Sequence, residues 1–348
     1  MAKRGDPMKQ KHIFIINPVA GKRDRTEEIY EKVRGFFALR GAEQEYEIYV
    51  SRAPGDSRDI ARRRASLGGR LCFYACGGDG TLSEVLNGIA GEEGCSLAPV
   101  PIGSGNDFIR SFGEDAEQFY QLDKLVDGEE IVVDLLRVNP QAGEARAGIN
   151  IVSVGLDCAV AKNAKRFKRI PFAGGGFAYK LSLLWCFFTS VKNRYEVELD
   201  GESFPREDYI FVVAANGRFY GGGFQASPRS RIDDGVLDLI RVPALPRNKI
   251  LPMIGAYRRG EHLGYPGLAK AAHGRSVRIL SERTIDVNID GEIFPMENPL
   301  IELVPAAMSM RVPRACAAKI RNAGAAEDSA PCGLTNPLQA LKIRPERL

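Results

Sequence analysis

The feature that most limits how this chain can fold is an alternation over its first hundred residues, where short apolar runs are separated by segments of helical spacing. The runs "HIFII" (12–16), "YEIYV" (46–50), "LCFYAC" (71–76) and "APVPI" (98–102) read as strands. Between them "EEIYEKVRGFFAL" sets Ile29, Val33 and Phe36 or Phe37 at helical spacing, "DSRDIARRRASL" reads as a polar helix, and a third helix is expected over 81–89. Apolar strands alternating with helices specify a parallel sheet covered on both faces. Ligands of such sheets collect at the carboxyl ends of the strands.

From about Glu130 the pattern changes to short strands separated by turn chemistry, among them "IVVDLLRV", "AGINIVSVGL", "RYEVELDGESF", "YIFVVAANG", "VLDLIRV", "SVRILSE" and "TIDVNIDGEIF". That is the signature of an antiparallel β domain. The boundary falls near Asp127–Gly128, so the expected units are 1–128 (α/β), 129–313 (all-β) and a loosely attached tail, 314–348, rich in Ala, Pro and charge. A short helix around "PLQALKI" is the only pattern in that tail. With 348 residues, 44% of them hydrophobic, there is enough chain for two packed cores.

A net charge of +4 does not announce a nucleic-acid binder. The seven cysteines are odd in number and irregularly spaced, and Cys72 and Cys76 in a buried strand suit neither a redox pair nor a zinc knuckle, so buried thiols in a reducing compartment are expected. The start of the chain has too short an apolar run before Asn17 and Pro18 for a signal peptide. The longest uncharged apolar stretch, "LSLLWCFFTSV" (181–191), is too short to cross a bilayer. A soluble cytoplasmic protein is the expectation.

Three glycine-bearing turns follow strands: "NPVAG" (17–21), "GGDG" (77–80) and "PIGSGNDF" (101–108). All three should meet at one rim of the sheet, where bare backbone and a helix N-terminus receive an anion. Thr81 is placed to cap the helix or touch a phosphate, and Glu84 stands where a capping box would put it. There is no GxxxxGK[ST], and neither "GDGTLS" nor "GSGNDF" meets the dinucleotide fingerprint. The site reads as built for phosphates by another design.

"GGDGTLSEVLNGI" with "PIGSGNDFIR", preceded by "NPVAGK" and followed by "ANGRFYGGGFQASPRSRIDDGVLDLI" (215–240) and "NIDGEIF" (288–294), resembles the catalytic domain shared by diacylglycerol kinases and sphingosine kinases, the bacterial soluble lipid kinases in particular. The resemblance runs over roughly residues 12–313. It implies a Rossmann-like α/β nucleotide domain joined to a β-sandwich, with Mg-ATP in the cleft between them. It further implies ATP contacts from Asn17, Pro18, Val19, Ala20 and Gly21, from Gly77, Gly78, Asp79, Gly80, Thr81, Leu82 and Glu84, and from Gly103, Ser104 and Asn106, with Ser51 a weaker candidate. Asp79 would reach the magnesium or its waters, and Asp107 would face the transferred phosphate.

Phosphoryl transfer needs positive charge on the phosphate oxygens and a base for the attacking hydroxyl. Candidate carboxylates are Asp79, Asp107, Asp233, Asp234, Asp290 and Glu292. By the resemblance, Asp234 holds a structural magnesium with the carbonyls of Arg231 and Val236; read alone, its Asp-Gly pair is a type I′ hairpin turn. "LDGESFP" (199–205) and "IDGEIFP" (289–295) are near-copies, and either is simply a hairpin with an acidic tip. The resemblance selects the second, with Glu292 as proton acceptor and Asp290 as its helper in a network with the metal waters.

A basic cluster, "AKNAKRFKRI" (161–170), precedes "GGGFAYKLSLLWCFF" and reads either as contact with an anionic membrane or as a solvated face beside a core helix. Phe219, Tyr220 and Phe224 around Gly221–Gly223 line a lipid groove or a core. The expected protein is an ATP-dependent kinase of a lipid hydroxyl, diacylglycerol first, peripheral at the inner membrane surface, with no nucleic-acid partner and a homodimer among the expected states. A kinase of a sphingoid base or another lipid alcohol, and a nucleotide-binding regulator without turnover, are the alternatives.

Overall fold

The structure, a computed structural model, describes residues 10–42, 45–141, 143–167, 193–265 and 267–328. Strands β1 (Lys11–Ile16), β2 (Tyr46–Val50), β3 (Leu71–Gly77) and β4 (Cys95–Pro101) form a parallel sheet in the order β2-β1-β3-β4. Helices α1 (Thr26–Ala38), α2 (Asp56–Ala65) and α3 (Asp79–Ile89) cross over between them. β3 is buried along its whole length, as a central strand covered on both faces must be. The helical spacing read from α1 holds, with Ile29, Val33 and Phe37 turned into the core. A 3₁₀ segment, Phe108–Tyr120, and the short α4 (Leu122–Val126) complete this half.

The second half is built from β5 (Glu129–Asn139), β6 (Arg146–Gly148), β7 (Ile151–Gly155), α5 (Leu156–Phe167), β8 (Asn193–Leu199), β9 (Glu202–Ser203), β10 (Glu207–Ala215), β11 (Leu237–Pro243), α6 (Arg247–Arg258), β12 (Lys270–Gly274), β13 (Ser276–Leu280), β14 (Ile285–Ile289), β15 (Glu292–Met296) and β16 (Leu300–Val312). Its strands pair antiparallel with one another and pack as a β-sandwich, whose interior holds Leu136, Val154, Val197, Val287 and Leu303. A separate apolar layer lies outside one sheet, where Leu156 and Val160 of α5 and Met253 and Tyr257 of α6 face Phe211 and Val213 of β10. β12 and α6 carry no clear period in the sequence, and their form comes from the sheet edge and the face they cover.

The join between the halves is β16. One flank pairs with β5 along its length, and the other pairs first with β13 and then, in parallel, with β4 of the first sheet. The chain therefore returns to the nucleotide-type sheet after the sandwich is complete. Midway, Pro305, Ala306 and Ala307 stand opposite the single residue Asp134, between the pairs Val304↔Leu135 and Met308↔Val133. Such a bulge frees backbone donors. The buried Asp134 carboxylate accepts from Ala306 N at 2.7 Å and from Gly235 N at 2.8 Å.

The segment following Pro313, which composition assigns to a loose tail, begins as helix α7 (Arg314–Asp328), with Cys316 and Ala317 buried in the first core. Lys319 donates to Phe112 O at 3.1 Å and Arg321 lies 2.6 Å from Glu129, so the helix is tied by both faces. Residues 329–348, with the "PLQALKI" helix, lie outside the described residues, as do 168–192, which hold most of the basic and aromatic stretch expected at a membrane.

The two acceptor oxygens of Asp134 serve two separate N–H groups, and an amide has only one oxygen to offer. We expect Asp134→Asn to lower the stability of the whole protein by about 2–4 kcal/mol, because one N–H is left facing an NH₂. Urea denaturation checks this, and a change below about 0.5 kcal/mol refutes the assignment of the carboxylate as the clamp on the bulge.

Candidate functional site

The first helical residue of α3 is Asp79, not a residue near 81, and its N-cap is Gly78 in extended backbone. The earlier start brings Asp79 into the first turn and leaves its helix N-terminus open to the cleft. Thr81 is then inside the helix and cannot cap it; its hydroxyl instead accepts from Asn17 Nδ2 at 3.0 Å, joining the first and second loops. Glu84 lies too far along for a capping box. Its carboxylate reaches the neighbouring helix, accepting from Gly55 N at 2.8 Å and Ser57 N at 3.2 Å, and so caps α2.

Close backbone approach explains two of the glycines. A Cβ on Gly103 would stand 2.3 Å from Gly78 Cα, so the second and third loops touch only because neither carries a side chain there. Gly21 has φ +80°, and a Cβ on it would meet Ile102 O at 2.3 Å. The loops that the sequence suggests would share a rim do so, and they enclose a polar cavity of about 570 Å³. Asn17, Pro18, Val19, Ala20, Gly21, Ser51, Gly78, Asp79, Gly80, Thr81, Glu84, Gly103 and Ser104 all line it, together with Glu292. Gly77, Leu82 and Asn106 do not. Gly77 is packed under Thr81, Leu82 is core, and the Asn106 amide donates to Gly103 O at 3.0 Å, which shapes the loop. Arg52, which follows Ser51 at the end of β2, also lines the cavity; a basic residue at a strand carboxyl end was its only sequence signal.

A second cavity, about 450 Å³ and mostly apolar, opens on the other side of Asp79. Leu156, Phe211, Tyr220, Phe224, Met253 and Tyr257 form its walls, between the outer face of the sandwich and helices α5 and α6. Tyr220 and Phe224 were expected there; Phe219 is not among the lining residues. Asp79, Gly105, Asp290 and Gly291 belong to both cavities and form the partition.

Charge is concentrated at that partition. Asp79 Oδ1 accepts from Asp107 N at 2.8 Å and Phe108 N at 3.3 Å. Burial first, then the neighbouring carboxylates Asp107 and Asp290, push its pKa from 3.8 up to about 6 against those two bonds. Burial also raises Asp107, whose Oδ2 accepts from Gly222 N at 2.7 Å and whose Oδ1 lies 3.2 Å from the Arg110 guanidinium. No three metal-ligating side chains meet here among the described residues, so a divalent cation would rest on one carboxylate and its own waters. Magnesium, if bound here, would be held through Asp79.

Asp290 differs from the helper role expected of it. It occupies a left-handed turn with Gly291, φ 49° and 96°, and both carboxylate oxygens are taken by backbone: Ile149 N at 2.7 Å, Asn150 N at 3.0 Å and Ile151 N at 2.9 Å. Its burial raises its pKa against all three bonds. The near-copy at Asp200 has the same turn, φ 51° before Gly201 at 87°, and its carboxylate accepts from Arg275 N and Ser276 N. Both copies are anchored hairpin tips. Only the second stands at the cavities, with half-buried Glu292 across the turn from Ile289; Glu202 is exposed.

Asp234 lines neither cavity. The Asp-Gly pair it forms with Gly235 is no tight hairpin turn, since a long excursion from 216 to 236 separates β10 from β11. Asp234 Oδ1 accepts from Val236 N at 3.0 Å, and burial with Asp238 and Asp134 nearby pushes its pKa up to about 6. Arg231 turns its guanidinium to Asp233 at 3.3 Å. No cluster of three or more metal-ligating side chains occurs among the described residues, so a cation at Asp234 would depend on the carbonyls of Arg231 and Val236.

Two family models match the chain. The model of the diacylglycerol kinase catalytic domain matches residues 11–138, and that of the YegS C-terminal NAD kinase beta sandwich-like domain matches residues 150–312. A protein of Stenotrophomonas maltophilia (strain K279a) named "Probable lipid kinase YegS-like" is 30% identical over 290 residues, 80% of this chain and 90% of its own length. A protein of Staphylococcus carnosus (strain TM300) named "Diacylglycerol kinase" is 26% identical, over 82% of this chain and 89% of its own. Among solved structures, a diacylglycerol kinase from Bacillus anthracis str. Sterne shares the fold, with a TM-score of 0.60 at 22% identity, covering 86% of this chain and 96% of that one.

The raised pKa of Asp79 has a consequence for stability. The folded chain binds the proton more tightly than the unfolded chain, so between pH 3.8 and about 6 the ionised form becomes a growing cost as pH rises. Asn at this position keeps an acceptor for the two backbone N–H groups and removes the charge. In metal-free and nucleotide-free protein we expect Asp79→Asn to raise the Tm by about 2–4 °C at pH 8, with the gain shrinking toward pH 4. Thermal denaturation at both pH values checks this, and a lower Tm at pH 8 contradicts it.

Proposed function

The chain belongs to the diacylglycerol kinase catalytic-domain family, with YegS-like lipid kinases among its relatives, and from that premise we propose that it transfers the γ-phosphate of ATP to a hydroxyl of a membrane lipid, diacylglycerol before others. The protein is a kinase. The observation that carries the acceptor reading is the pair of cavities with a shared partition: a polar one lined by glycine loops and a helix N-terminus, and an apolar one lined by aromatic and aliphatic side chains. Phosphate oxygens suit the first and acyl chains suit the second. Their meeting at Asp79, Gly105, Asp290 and Gly291 gives the reacting atoms a place to come together.

In this reading residues 1–128 bind ATP through the loops at Asn17–Gly21, Gly78–Thr81 and Gly103–Ser104, with Arg52 offering a cation to the phosphates. Residues 129–313 hold the lipid. Glu292 takes the proton of the attacking hydroxyl as the oxygen–phosphorus bond forms and the bond to ADP breaks, while Asp290 fixes the turn that presents Glu292. Asp107 orients the 221–223 loop through Gly222 N, and Asp79 is the carboxylate facing the metal. Magnesium bound at Asp79 would neutralise charge on the phosphate oxygens. A second magnesium at Asp234 with the carbonyls of Arg231 and Val236 answers a carboxylate with Asp238 and Asp134 for neighbours. A lipid acceptor has to be met at a membrane, so in this reading the protein works peripherally at the inner membrane surface, where diacylglycerol is loaded; no helix among the described residues is long and apolar enough to cross a membrane.

The test is transfer of labelled γ-phosphate to mixed micelles containing diacylglycerol, with and without magnesium. We expect magnesium-dependent phosphatidic acid. Glu292→Ala should lower kcat by about 10²–10⁴-fold as the loss of a general base, and Glu202→Ala, in the twin motif, should leave it within about twofold. Equal damage from the two substitutions would assign the base to neither copy.

A further inference from the structure

A third cavity, of about 90 Å³, shares no lining residue with the two described above. Three elements distant in the chain enclose it: the 3₁₀ segment through Ser111, the excursion between β10 and β11 through Arg218, Arg231 and Asp233, and helix α7 through Lys319. Neither nucleotide nor lipid needs it.

Its polar lining is rich in donors. Arg231 and Asp233, the one acid among the lining residues, pair at 3.3 Å, and their charges cancel. Arg218 and Lys319 remain. The half-buried Arg218 guanidinium spends Nε on Ser230 O at 2.9 Å, and no carboxylate of the described residues is in ion-pair contact with it. Lys319 donates to Phe112 O at 3.1 Å and stands 3.9 Å from Asp115, which lies outside the lining. Ser111 Oγ accepts from Arg218 N at 3.4 Å, and its own proton has no acceptor among the described residues. Carbonyl partners satisfy single N–H groups and leave positive charge uncompensated. The two terminal nitrogens of a guanidinium form a planar fork that matches two oxygens of a tetrahedral oxyanion. An ammonium adds a point charge and a hydroxyl adds a neutral donor. A cavity of this size holds a few waters or one such group.

We propose that this cavity is a second phosphate site, in which Arg218, Lys319 and Ser111 hold the phosphate group of a free phosphate or of a phospholipid headgroup. Ser111 lies shortly after Asp107 and Arg218 shortly before Gly222, whose N–H donates to Asp107 at 2.7 Å. A phosphate held by both fastens the two arms that lead to that contact. The proposal stands apart from the lipid kinase reading, because it concerns binding at residues that reading does not use.

The experiment titrates sodium phosphate into the full chain by calorimetry at about pH 8, where phosphate is a dianion. Magnesium and a non-hydrolysable ATP analogue occupy the nucleotide cavity, and sodium chloride holds the ionic strength constant. We expect one phosphate per chain, bound about tenfold more weakly in Arg218→Gln and about threefold more weakly in Lys319→Gln. The Lys319 side chain is half exposed, so its variant keeps the test valid if Arg218→Gln fails to fold. Bound phosphate should also slow amide hydrogen exchange over 218–223. Heats no larger than those of chloride overturn the proposal, as does exchange over 218–223 that phosphate leaves unchanged. Binding lost in Arg52→Gln and kept in Lys319→Gln belongs to the nucleotide cavity and overturns it too. Vesicles of phosphatidylcholine with and without phosphatidic acid separate the two sources. Lys319-dependent binding to the acidic vesicles, displaced by free phosphate, assigns a headgroup; calorimetric binding without it assigns free phosphate.

Discussion

The Asp290 carboxylate, with its three backbone N–H partners at Ile149, Asn150 and Ile151, is the contact on which the arrangement of the site depends. A charge-assisted acceptor satisfying several buried donors is among the stronger polar contacts a protein makes. Here it ties the β14–β15 turn to the start of β7, two places far apart in the chain. Glu292 lies just beyond that turn and Asn288 just before it, so one anchored tip sets the polar cavity's acidic wall and the apolar cavity's polar spot together. The twin at Asp200 shows that the anchor is a device of the sandwich, independent of any site. Position alone separates the two.

The partition between the cavities is negative, and that has an energetic meaning. Asp79, Asp107 and Asp290 are drawn together in a place from which water is partly excluded, and burial raises the pKa of each. The repulsion of Asp79 by Asp107 and Asp290 is a cost to the folded protein, and a cation bound at Asp79 would relieve it. Sites of this kind trade stability for binding. The anchoring of β16 works in the opposite sense. Its parallel pairing with β4 and the clamp of Asp134 on the Ala306 bulge fix the sandwich against the nucleotide-type sheet, so that the partition has walls from both halves.

Much of this was legible in the residues. Strand periods and helix spacing placed all four parallel strands, because strands buried on both faces must be continuous apolar runs. The glycine turns pointed to the rim for a similar reason: a loop that has to touch another loop, as Gly103 touches Gly78, has few residues to choose from. Errors arose where a local pattern had two meanings. Thr81 and Glu84 have the spacing of a capping box, yet Glu84 caps a different helix, because α2 lies against α3 and offers unpaired N–H groups nearer than its own. The Asp-Gly pair at 234–235 has hairpin chemistry, but it closes a long connection between β10 and β11, whose pairing is set by the strands themselves.

By itself the sequence determined the alternation, and with it the parallel sheet, the glycine rim and the residues available for phosphate and metal, since these follow from local spacing and backbone freedom. It did not determine which of the two acidic hairpins faces the cleft, that Asp290 is spent on backbone, or that Asp157, Ser153 and Asn288 meet in an apolar wall. Those outcomes rest on pairing between strands distant in the chain, β7 with β14 above all, and a single strand carries no record of its partner's register. Only the folded sheet brings Ser153 opposite Asn288, and that register closes the hydrogen bond between them.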